Sequence, residues 1–292
     1  MRAARDRCRQ RGAALLLVLW LIVLLTALVG AFALSARIEH IQARVLSHGV
    51  VGEQAARAGL EYALMRLGDA DPQTRWIADG RVYQWDFNGV PVHLRVVDET
   101  GKIDLNVAGR ELLAGLMEVL GTDPPEAGRL ADAIIDWRDP DDLGQVAGAA
   151  EDRQYAAAGL PYAAKNAPFE AVSELQLVLG MPPGLAARMA PHVTVHTGRA
   201  LPDSSYASSI VLQAAGIDPG PVIAARQVEG AGPDIAMAGA AGTGTYSIES
   251  RARLPDGRES VLRAVLRAGG TLPGAAYTTL RWQEGAAAGG DG

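Results

Sequence analysis

The feature that most constrains this chain is a run of uncharged, mostly apolar residues from Gly12 to Leu34. At a rise of ~1.5 Å per residue, the run is just long enough to cross a hydrocarbon core ~30 Å thick as one helix. Five arginines stand in front of it, at positions 2, 5, 7, 9 and 11. Such a basic head holds the N-terminus on the cytoplasmic side and directs the rest of the chain outward. The sequence therefore predicts a single membrane helix over 13–34.

Three interpretations of this run compete. A cleaved secretory signal has the same general form, but its apolar part is usually only ~7 to 15 residues long. An uncleaved signal anchor is the simplest alternative. In the third, Arg11-Gly12-Ala13 resembles the leader of type IV prepilins and type II secretion pseudopilins, which a membrane peptidase cuts after the glycine. That resemblance implies a leader over 1–12 with Gly12 and Ala13 at the processing site. Leu17 stands where most of that superfamily has a glutamate.

Charge and cysteine content limit the classes of function open to the chain. The formal net charge is -6, and the head before Gly12 carries five arginines and one aspartate, so the remainder would stand at -10 without the head. An acidic body of this kind repels nucleic acid. The single cysteine, Cys8, also lies in the head, so a processed chain would have no disulfide and no thiolate ligand. The composition predicts a globular protein that is stabilised by packing and by metal.

Beyond the membrane helix, the pattern predicts an α+β fold. Helical periodicity continues from Ser35 to Leu67, and the apolar stripe there consists largely of glycine and alanine, which lets another layer approach closely. Alternating residues predict a hairpin around Asn88-Gly89 and further strands from Tyr246 onward. We predict a pilin-like long N-terminal helix packed on an antiparallel sheet, with a large all-helical domain inserted between strands. The predicted boundaries are a helix over 13–68, a first part of the sheet over 69–105, the inserted domain over 106–242, a second part over 243–283, and a disordered tail over 284–292.

The predicted helical domain contains a repeated sequence pattern. Leu120-Gly121 and Leu179-Gly180 each follow an apolar helix and precede a helix that begins at proline, and Ala215-Gly216 begins a fainter third copy. These segments indicate helix-hairpin-helix units, some of which bind nucleic acid through a Gly-x-Gly turn. The second glycine is replaced here, so we interpret the hairpins as packing modules with no nucleic-acid partner. The replacing residues are Asp123, Pro182 and Asp218.

A group of carboxylates lies between the first two hairpins. Oxygen ligands close together, with no histidine or cysteine nearby, suit a hard cation such as calcium. The alternatives are a solvated acidic loop with aspartates as turn and helix caps, or a pair of carboxylates acting as the acid and base of a hydrolase. The predicted metal ligands are Asp136, Asp139, Asp141, Asp142, Glu151 and Asp152.

Taken together, the motifs resemble the protein K family of the general (type II) secretion pathway, the large minor pseudopilins. The matching segments occur in the family's order: Gly12-Ala13, Asp98 to Asn106, Asp136-Trp137 with Asp139 to Asp142, Glu151-Asp152 with Tyr155, and Asn166 to Leu175. Leu17 also fits, since this class lacks the glutamate. Where the family would have an Asn-x-Asn-Thr-Ala run, this chain has Pro202 to Ala207. The resemblance implies a helical domain that binds calcium and assembly with two other minor pseudopilins at the tip of a periplasmic pseudopilus.

The resulting hypothesis is a non-enzymatic tip subunit that helps initiate and cap the pseudopilus. A helix without a buried carboxylate makes no demand on a subunit above it, and a bulky helical domain would block further stacking. The expected partners are other minor pseudopilins, prepilin peptidase, the inner membrane, and the outer-membrane channel or an exported substrate. The main rival is a membrane-anchored periplasmic hydrolase that uses carboxylates. A third reading, an anchored nucleic-acid binder of the uptake type, is opposed by the acidic charge and the missing Gly-x-Gly turns.

Overall fold

The computed structural model describes residues 3–71, 73–140, 150, 152–228, 244–269 and 276–286. For residues 3–14, 36, 38–48, 227–228 and 286, only the backbone is described. The chain divides into two compact units, Met1–Gly52 and Glu53–Gly292.

The first unit is helical. It belongs to α1 (Ala3–Leu67), which contains one stretch, Leu15–Ser35, that is long and apolar enough to cross a membrane. Its large apolar side chains are exposed, as those of a lipid-facing helix would be, and Leu17 is 72% exposed. The Thr26 hydroxyl donates to the carbonyl oxygens of Ile22 and Val23, each at 2.9 Å, so this polar group is satisfied inside the helix. The apolar helix predicted near the N-terminus is therefore present.

The second unit contains a five-stranded sheet whose neighbouring strands are all antiparallel, in the order β1-β2-β5-β6-β7. The strands are β1 (Asp79–Phe87), β2 (Val90–Asp98), β5 (Thr245–Arg253), β6 (Glu259–Ala268) and β7 (Tyr277–Ala286). Asn88 and Gly89 join β1 to β2 with φ angles of 51° and 84°. This left-handed pair matches the twist of a two-residue hairpin. The prediction of a mixed fold with an antiparallel sheet is confirmed.

The end of the sheet differs from the prediction. Residues 284–286 were predicted to begin a disordered tail, but they form the end of β7, paired with Ser260, Val261 and Leu262 of β6. Backbone pairing with a long neighbouring strand outweighs the glycine- and alanine-rich composition of these residues. Residues 287–292 of the predicted tail lie outside the described residues.

The last part of α1 packs on one face of this sheet. Ala55, Ala56, Leu60 and Ala63 are buried in one cluster with inward-facing sheet residues. Those sheet residues include Val92, Leu94, Val96, Ile248, Ala252, Leu262 and Ala264. The small side chains on the helix bring its backbone close to the strands. At Gly59 the approach is closest, because an added Cβ would lie 2.7 Å from Ser250 Oγ and 2.8 Å from Val92 Cγ1.

Gly59→Ala is therefore expected to destabilise the second unit even though alanine is the better helix former. Buried side chains would have to move apart, and overpacking of this kind costs ~1–3 kcal/mol. Gly49→Ala is the matched control, since a Cβ there meets nothing within 4 Å and alanine should stabilise the helix by ~1 kcal/mol. Thermal unfolding of the two variants in detergent would measure the difference. Equal melting temperatures would show that the helix does not approach the sheet this closely.

Between β2 and β5 the chain is mostly helical. Its elements are β3 (Ile103–Asp104), α2 (Arg110–Val119), α3 (Pro124–Arg138), α4 (Asp152–Ala157), a 3-10 helix (Val172–Leu177), α5 (Pro183–Met189), a 3-10 turn (Ala190–His192), β4 (Val193–Thr194), α6 (Ser209–Ala214) and α7 (Pro219–Val228). We call residues 103–228 the helical region. Helices α3, α5 and α7 each begin at proline, where the missing N–H costs no hydrogen bond.

One helix in this region differs from the prediction. An apolar helix was predicted to precede Leu179-Gly180, but Val172–Leu177 is a 3-10 helix. The carboxylate of Glu174 accepts the backbone N–H groups of Glu170 and Ala171 at 2.8 and 3.0 Å. Backbone hydrogen bonds run to the residue three positions earlier, from Glu174 to Ala171 at 3.1 Å and from Val178 to Leu175 at 3.3 Å, as in a 3-10 helix.

The helical region has its own core, which includes the fully buried Leu113, Leu116, Met117, Ile134 and Met189. It is separate from the cluster between α1 and the sheet. Strands β3 and β4 pair in parallel through Ile103 with Val193 and Asp104 with Thr194. Strands β2 and β5 are neighbours in the sheet and pair from Val92 with Ala252 to Asp98 with Tyr246. In the sequence, the whole helical region lies between these two strands.

Candidate functional site

The predicted metal carboxylates lie around one segment of the helical region. Asp136 lies in the last turn of α3, Asp139 is the residue that ends this helix, and Asp152 begins α4. Asp141, Asp142 and Glu151 lie outside the described residues. Within the described ranges, no three histidine, cysteine, aspartate or glutamate side chains come together as a metal-ligand group. Of the six predicted ligands, the structure thus describes the first two, Asp136 and Asp139, and the last, Asp152.

Asp136 has a structural contact. Its side chain is fully buried, and its carboxylate accepts the backbone N–H of Ala150 at 2.8 Å. Because Ala150 follows the segment 141–149, this hydrogen bond brings the two ends of that segment together. The buried Asp136 carboxylate therefore connects the end of α3 to Ala150, two residues before α4. We call residues 139–152 the acidic loop.

The motif segment Asp98 to Asn106 forms the junction between the sheet and the helical region. It contains a buried charged group, Glu99, whose side chain is 2% exposed. Glu99 Oε1 accepts from Lys102 Nζ at 2.5 Å and from the Ser247 hydroxyl on β5, and Glu99 Oε2 accepts from the Thr194 hydroxyl on β4. Lys102 Nζ also donates to Ser247 Oγ at 2.8 Å. One carboxylate thus joins the sheet to the short strand pair of the helical region.

Electrostatics favour the charged form of Glu99. Burial alone would raise the pKa of this carboxyl, but the Lys102 ammonium and the hydrogen bonds from Lys102, Ser247 and Thr194 outweigh burial and hold the pKa below its usual value. The pKa of His196, which faces the same group, is lowered by its own burial. The junction therefore contains an ion pair that depends on both of its charges.

Backbone contacts reinforce the junction at Thr100 and Gly101. Asp203 donates its N–H to the carbonyl of Thr100 at 2.8 Å, and its carboxylate accepts the N–H of Ser205 at 2.9 Å. The loop that follows passes directly over Gly101. An added Cβ on Gly101 would lie 2.5 Å from the carbonyl carbon of Tyr206 and 2.9 Å from the nitrogen of Ala207. Only glycine leaves room for this crossing.

The end of the same motif holds two distant segments. Asp104 Oδ2 accepts from the N–H of Thr197, from its hydroxyl and from the N–H of Gly198, at 2.7–3.0 Å. Asn106 Oδ1 accepts the N–H of Phe169 at 2.7 Å, and Asn106 Nδ2 donates to the Phe169 carbonyl at 3.0 Å. Asparagine is a common helix cap, and Asn106 stands shortly before α2, but it does not cap that helix. The residue that directly precedes α2 is Gly109. Asn106 instead binds Phe169, and the two hydrogen bonds satisfy both the carbonyl and the NH2 group of its side-chain amide.

The remaining motif residues also form hydrogen bonds between segments of the helical region. Glu174 Oε2 accepts from Lys165 Nζ at 2.9 Å and from Trp137 Nε1 at 3.4 Å. The buried Tyr155 hydroxyl accepts the N–H of Leu179 at 2.9 Å. Arg138, which follows Trp137, donates to the carbonyls of Leu105 and Ala108. Motifs that are far apart in the sequence therefore form one hydrogen-bonded framework around the start of the acidic loop.

Sequence reasoning identified these motif segments but not their contacts. It missed the pair Glu99–Lys102 and its partners Ser247 and Thr194, which are 148 and 95 residues away from Glu99. The available signal was two opposite charges three residues apart, directly after the alternating strand pattern that ends at Val97. The other predicted site residues, Gly12, Ala13 and Leu17, lie within α1 of the first unit.

Comparison with known proteins agrees with this framework. Residues 94–198, which include most of the motif segments, match the family model described as type II secretion system (T2SS), protein K. The type II secretion system protein K of Klebsiella pneumoniae is 30% identical over 211 residues, covering 63% of this chain and 62% of the relative. Protein K of Pectobacterium carotovorum subsp. carotovorum is 27% identical over 216 residues, covering 64% and 63%. The chain thus spans a little less than two thirds of the length of these relatives.

The fold is also found among solved structures. A chain in the crystal structure of the GspK-GspI-GspJ complex of the type 2 secretion system from enterotoxigenic Escherichia coli superposes with a TM-score of 0.56. It is 18% identical, and the match covers 86% of this chain and 99% of that one. The resemblance that the motifs indicated is therefore confirmed, and it is carried by residues 94–198, which match protein K of type II secretion.

Proposed function

We propose that this chain is a minor pseudopilin of type II secretion that occupies the tip of the pseudopilus and helps initiate and cap the filament. The match of residues 94–198 to protein K carries the proposal. The exposed apolar helix Leu15–Ser35 supports a single-pass anchor in the inner membrane. With the basic head on the cytoplasmic side, the second unit would then lie in the periplasm.

The architecture of the second unit supports a finer proposal about its domains. Because β2 pairs directly with β5, the helical region can be regarded as an insertion into a pilin-like sheet. The junction at Glu99, Gly101 and Asn106 then holds the insertion in a fixed position on that sheet. A rigid, bulky insertion suits a subunit on which no further subunit stacks.

The N-terminal segment supports the proposed place in the filament. A pilin glutamate in the membrane needs a partner such as the N-terminal amine of a neighbouring subunit. This chain has Leu17 at that position, so its helix needs no such neighbour beyond it. We propose that prepilin peptidase cuts between Gly12 and Ala13 and that the processed chain assembles with two other minor pseudopilins. The outer-membrane channel or an exported protein would then meet the helical region.

Co-purification tests the function directly. The full chain, extracted from membranes in mild detergent, is expected to bring down two other pseudopilin-like proteins. A Gly12→Leu variant is expected to keep its leader, to migrate as the longer precursor on a gel, and to lose these partners. Ala27→Leu, a substitution inside the apolar run, is the control and should be processed normally. Normal cleavage of the Gly12 variant would refute the processing site, and failure of the unmodified chain to capture any pseudopilin would refute the function.

We also propose that the acidic loop binds calcium. The candidate ligands are Asp136, Asp139, Asp141, Asp142, Glu151 and Asp152, all of which offer the oxygen atoms that calcium prefers. The buried Asp136 fits this proposal, because its carboxylate is hydrogen-bonded to Ala150, and the other candidate ligands lie close to these two residues in the sequence. Bound calcium would neutralise the clustered carboxylates and cross-link the loop.

Calcium addition is expected to raise the melting temperature of the full chain, because an ion bound only by the folded state stabilises that state. The double variant Asp141→Asn/Asp142→Asn should lose most of this shift and the heat of binding measured by calorimetry. Glu118→Gln/Asp123→Asn is the control, since it removes the same two charges at exposed positions outside the loop. A flat calorimetric titration of the unmodified chain would instead support a solvated acidic loop.

A hydrolase with paired carboxylates is not favoured by any feature of the described residues. One surface groove is lined by Asp79, Arg81, Ser208, Ile223 and Arg226, among others. Its carboxylate, Asp79, is already in an ion pair with Arg81 at 2.6 Å, which together with hydrogen bonds from Arg81 lowers the pKa of Asp79 despite its partial burial. A single paired carboxylate cannot supply both an acid and a base.

A further inference from the structure

The sheet has a second face, opposite α1, that carries a concentration of arginines. Inward-facing residues such as Leu94, Ala252, Leu262 and Ala264 are buried against α1, so their neighbours along each strand point away from the helix. We call this surface the arginine face. Along the regular parts of the strands, its charged members are Asp86, Arg95, Glu249, Arg251, Arg253, Glu259, Arg263, Arg267 and Arg281.

Strand register brings these side chains together. Arg95, Glu249, Arg263 and Gln283 are successive partners across β2, β5, β6 and β7. Neighbouring strands are ~4.8 Å apart, so Arg95 and Arg263 lie about 10 Å from each other with Glu249 between them. Arg253 pairs with Glu259 at one end of the face, and Arg281 lies opposite Val265 on the last strand.

The three carboxylates do not neutralise the face. Asp86 accepts the N–H of Gly89 at 2.8 Å. Glu249 is bound by Arg251 at 2.8 Å and by Arg263 at 2.7 Å, and Glu259 by Arg251 at 3.4 Å. Among the described residues, Arg95, Arg253, Arg267 and Arg281 make no ion pair, and all four are exposed. With six arginines and three carboxylates, the face has a surplus of three positive charges, although the chain as a whole is acidic.

Apolar side chains lie between the arginines. Val82 on β1 is the strand partner of Arg95 and is 50% exposed. Val265 lies opposite Arg281 and is half-buried. Apolar positions ringed by arginine are typical of protein interfaces, in which guanidinium groups bind carboxylates in a bidentate manner. A phosphate polymer would gain nothing from the valines and would be repelled by Glu249 and Glu259.

We propose that the arginine face docks an acidic protein surface in which carboxylates surround a small apolar patch. Because α1 occupies the other side of the sheet, a subunit that packs along this helix leaves the arginine face accessible. The partner is thus a protein that approaches the sheet from the side opposite α1. The inference rests on the sheet and its charges and does not depend on the pseudopilin assignment.

A defined probe tests this interaction. The full chain in neutral detergent is titrated with a fluorescent peptide of alternating glutamate and valine, and the peptide is expected to bind with an affinity that falls as salt is added. Arg95→Glu/Arg253→Glu should weaken binding at least tenfold, and the uncharged Arg95→Gln/Arg253→Gln should give an intermediate loss. Arg153→Glu/Arg188→Glu is the matched control, because it changes the charge equally at exposed positions of the helical region and should shift affinity less than twofold.

Each other outcome would overturn the proposal. Equal losses in the arginine-face variants and the control would show a general charge effect. Tighter binding of polyphosphate, lost in the same variants, would indicate a phosphate ligand. Self-association that disappears in Arg95→Glu/Arg253→Glu would indicate a second copy as the partner. Loss of pseudopilin co-purification in this variant, with leader cleavage retained, would place a pseudopilin on this face and leave the proposed function intact.

Discussion

Gly101→Ala is expected to unfold the junction between the sheet and the helical region. The added Cβ would lie 2.5 and 2.6 Å from the carbonyl carbon and oxygen of Tyr206 and 2.9 Å from the nitrogen of Ala207. These are backbone atoms, and the loop that contains them is fixed by the N–H of Asp203 on the Thr100 carbonyl. Since the loop cannot shift without breaking such hydrogen bonds, we expect a loss of about 3 kcal/mol or more, at the upper end of overpacking effects. Thermal unfolding followed by tryptophan fluorescence would measure it.

Gly184→Ala is the matched control for this substitution. Gly184 lies in the first turn of α5, and an added Cβ there would be 3.8 Å from the end of the flexible Arg188 side chain. Alanine should be neutral or should stabilise that helix, because it loses less backbone entropy on folding than glycine does. If Gly101→Ala melted at the same temperature as Gly184→Ala, the loop 203–207 would not cross the motif as described.

Local sequence signals predicted most of the elements, because their causes are local. Asn88-Gly89 encodes its hairpin through two left-handed residues, and Pro124, Pro183 and Pro219 each begin a helix. The same signals failed where a distant partner decides the conformation. Asn106 resembles a helix cap in sequence, yet Phe169, 63 residues away, takes both of its hydrogen bonds. Residues 284–286 have a tail-like composition, yet β6 pairs with them.

The candidate site was predictable as a set of motifs but not as a framework. The pattern of carboxylates from Asp136 to Asp152 predicts a cation site without any knowledge of the fold, and that site stays a prediction. Nothing in the local pattern shows that Glu99 is buried between two strands, because Ser247 and Thr194 reach it only after the sheet has formed. Whether a charged residue is buried depends on tertiary contacts, and a single sequence does not show which distant residues make those contacts.

Lys102→Met is expected to destabilise the second unit strongly at neutral pH. It would leave the Glu99 carboxylate, 2% exposed, without its cation, and removing one partner of a buried ion pair costs about 3–5 kcal/mol. Lys165→Met is the matched control. Its partner Glu174 is 16% exposed and keeps two backbone N–H donors, so the loss should be about 1 kcal/mol. Chemical denaturation of both variants at pH 7 would compare them.

The pH dependence of this effect has a definite sign. In the unmodified protein the pKa of Glu99 is lowered, so its stabilising contribution is present above the unfolded-state pKa of ~4.3 and is lost as the pH falls through the folded-state value. Without Lys102, burial dominates and should raise the pKa of Glu99, so the folded variant would favour the protonated carboxyl. The stability deficit of Lys102→Met relative to the unmodified protein should therefore shrink as the pH is lowered from 7 to 4. Glu99→Gln/Lys102→Met should be more stable than Lys102→Met alone at pH 7, since glutamine accepts the same hydroxyl hydrogen bonds without a buried charge. A deficit that stayed constant with pH, together with no rescue by the second substitution, would show that Lys102 acts through packing and not through its charge.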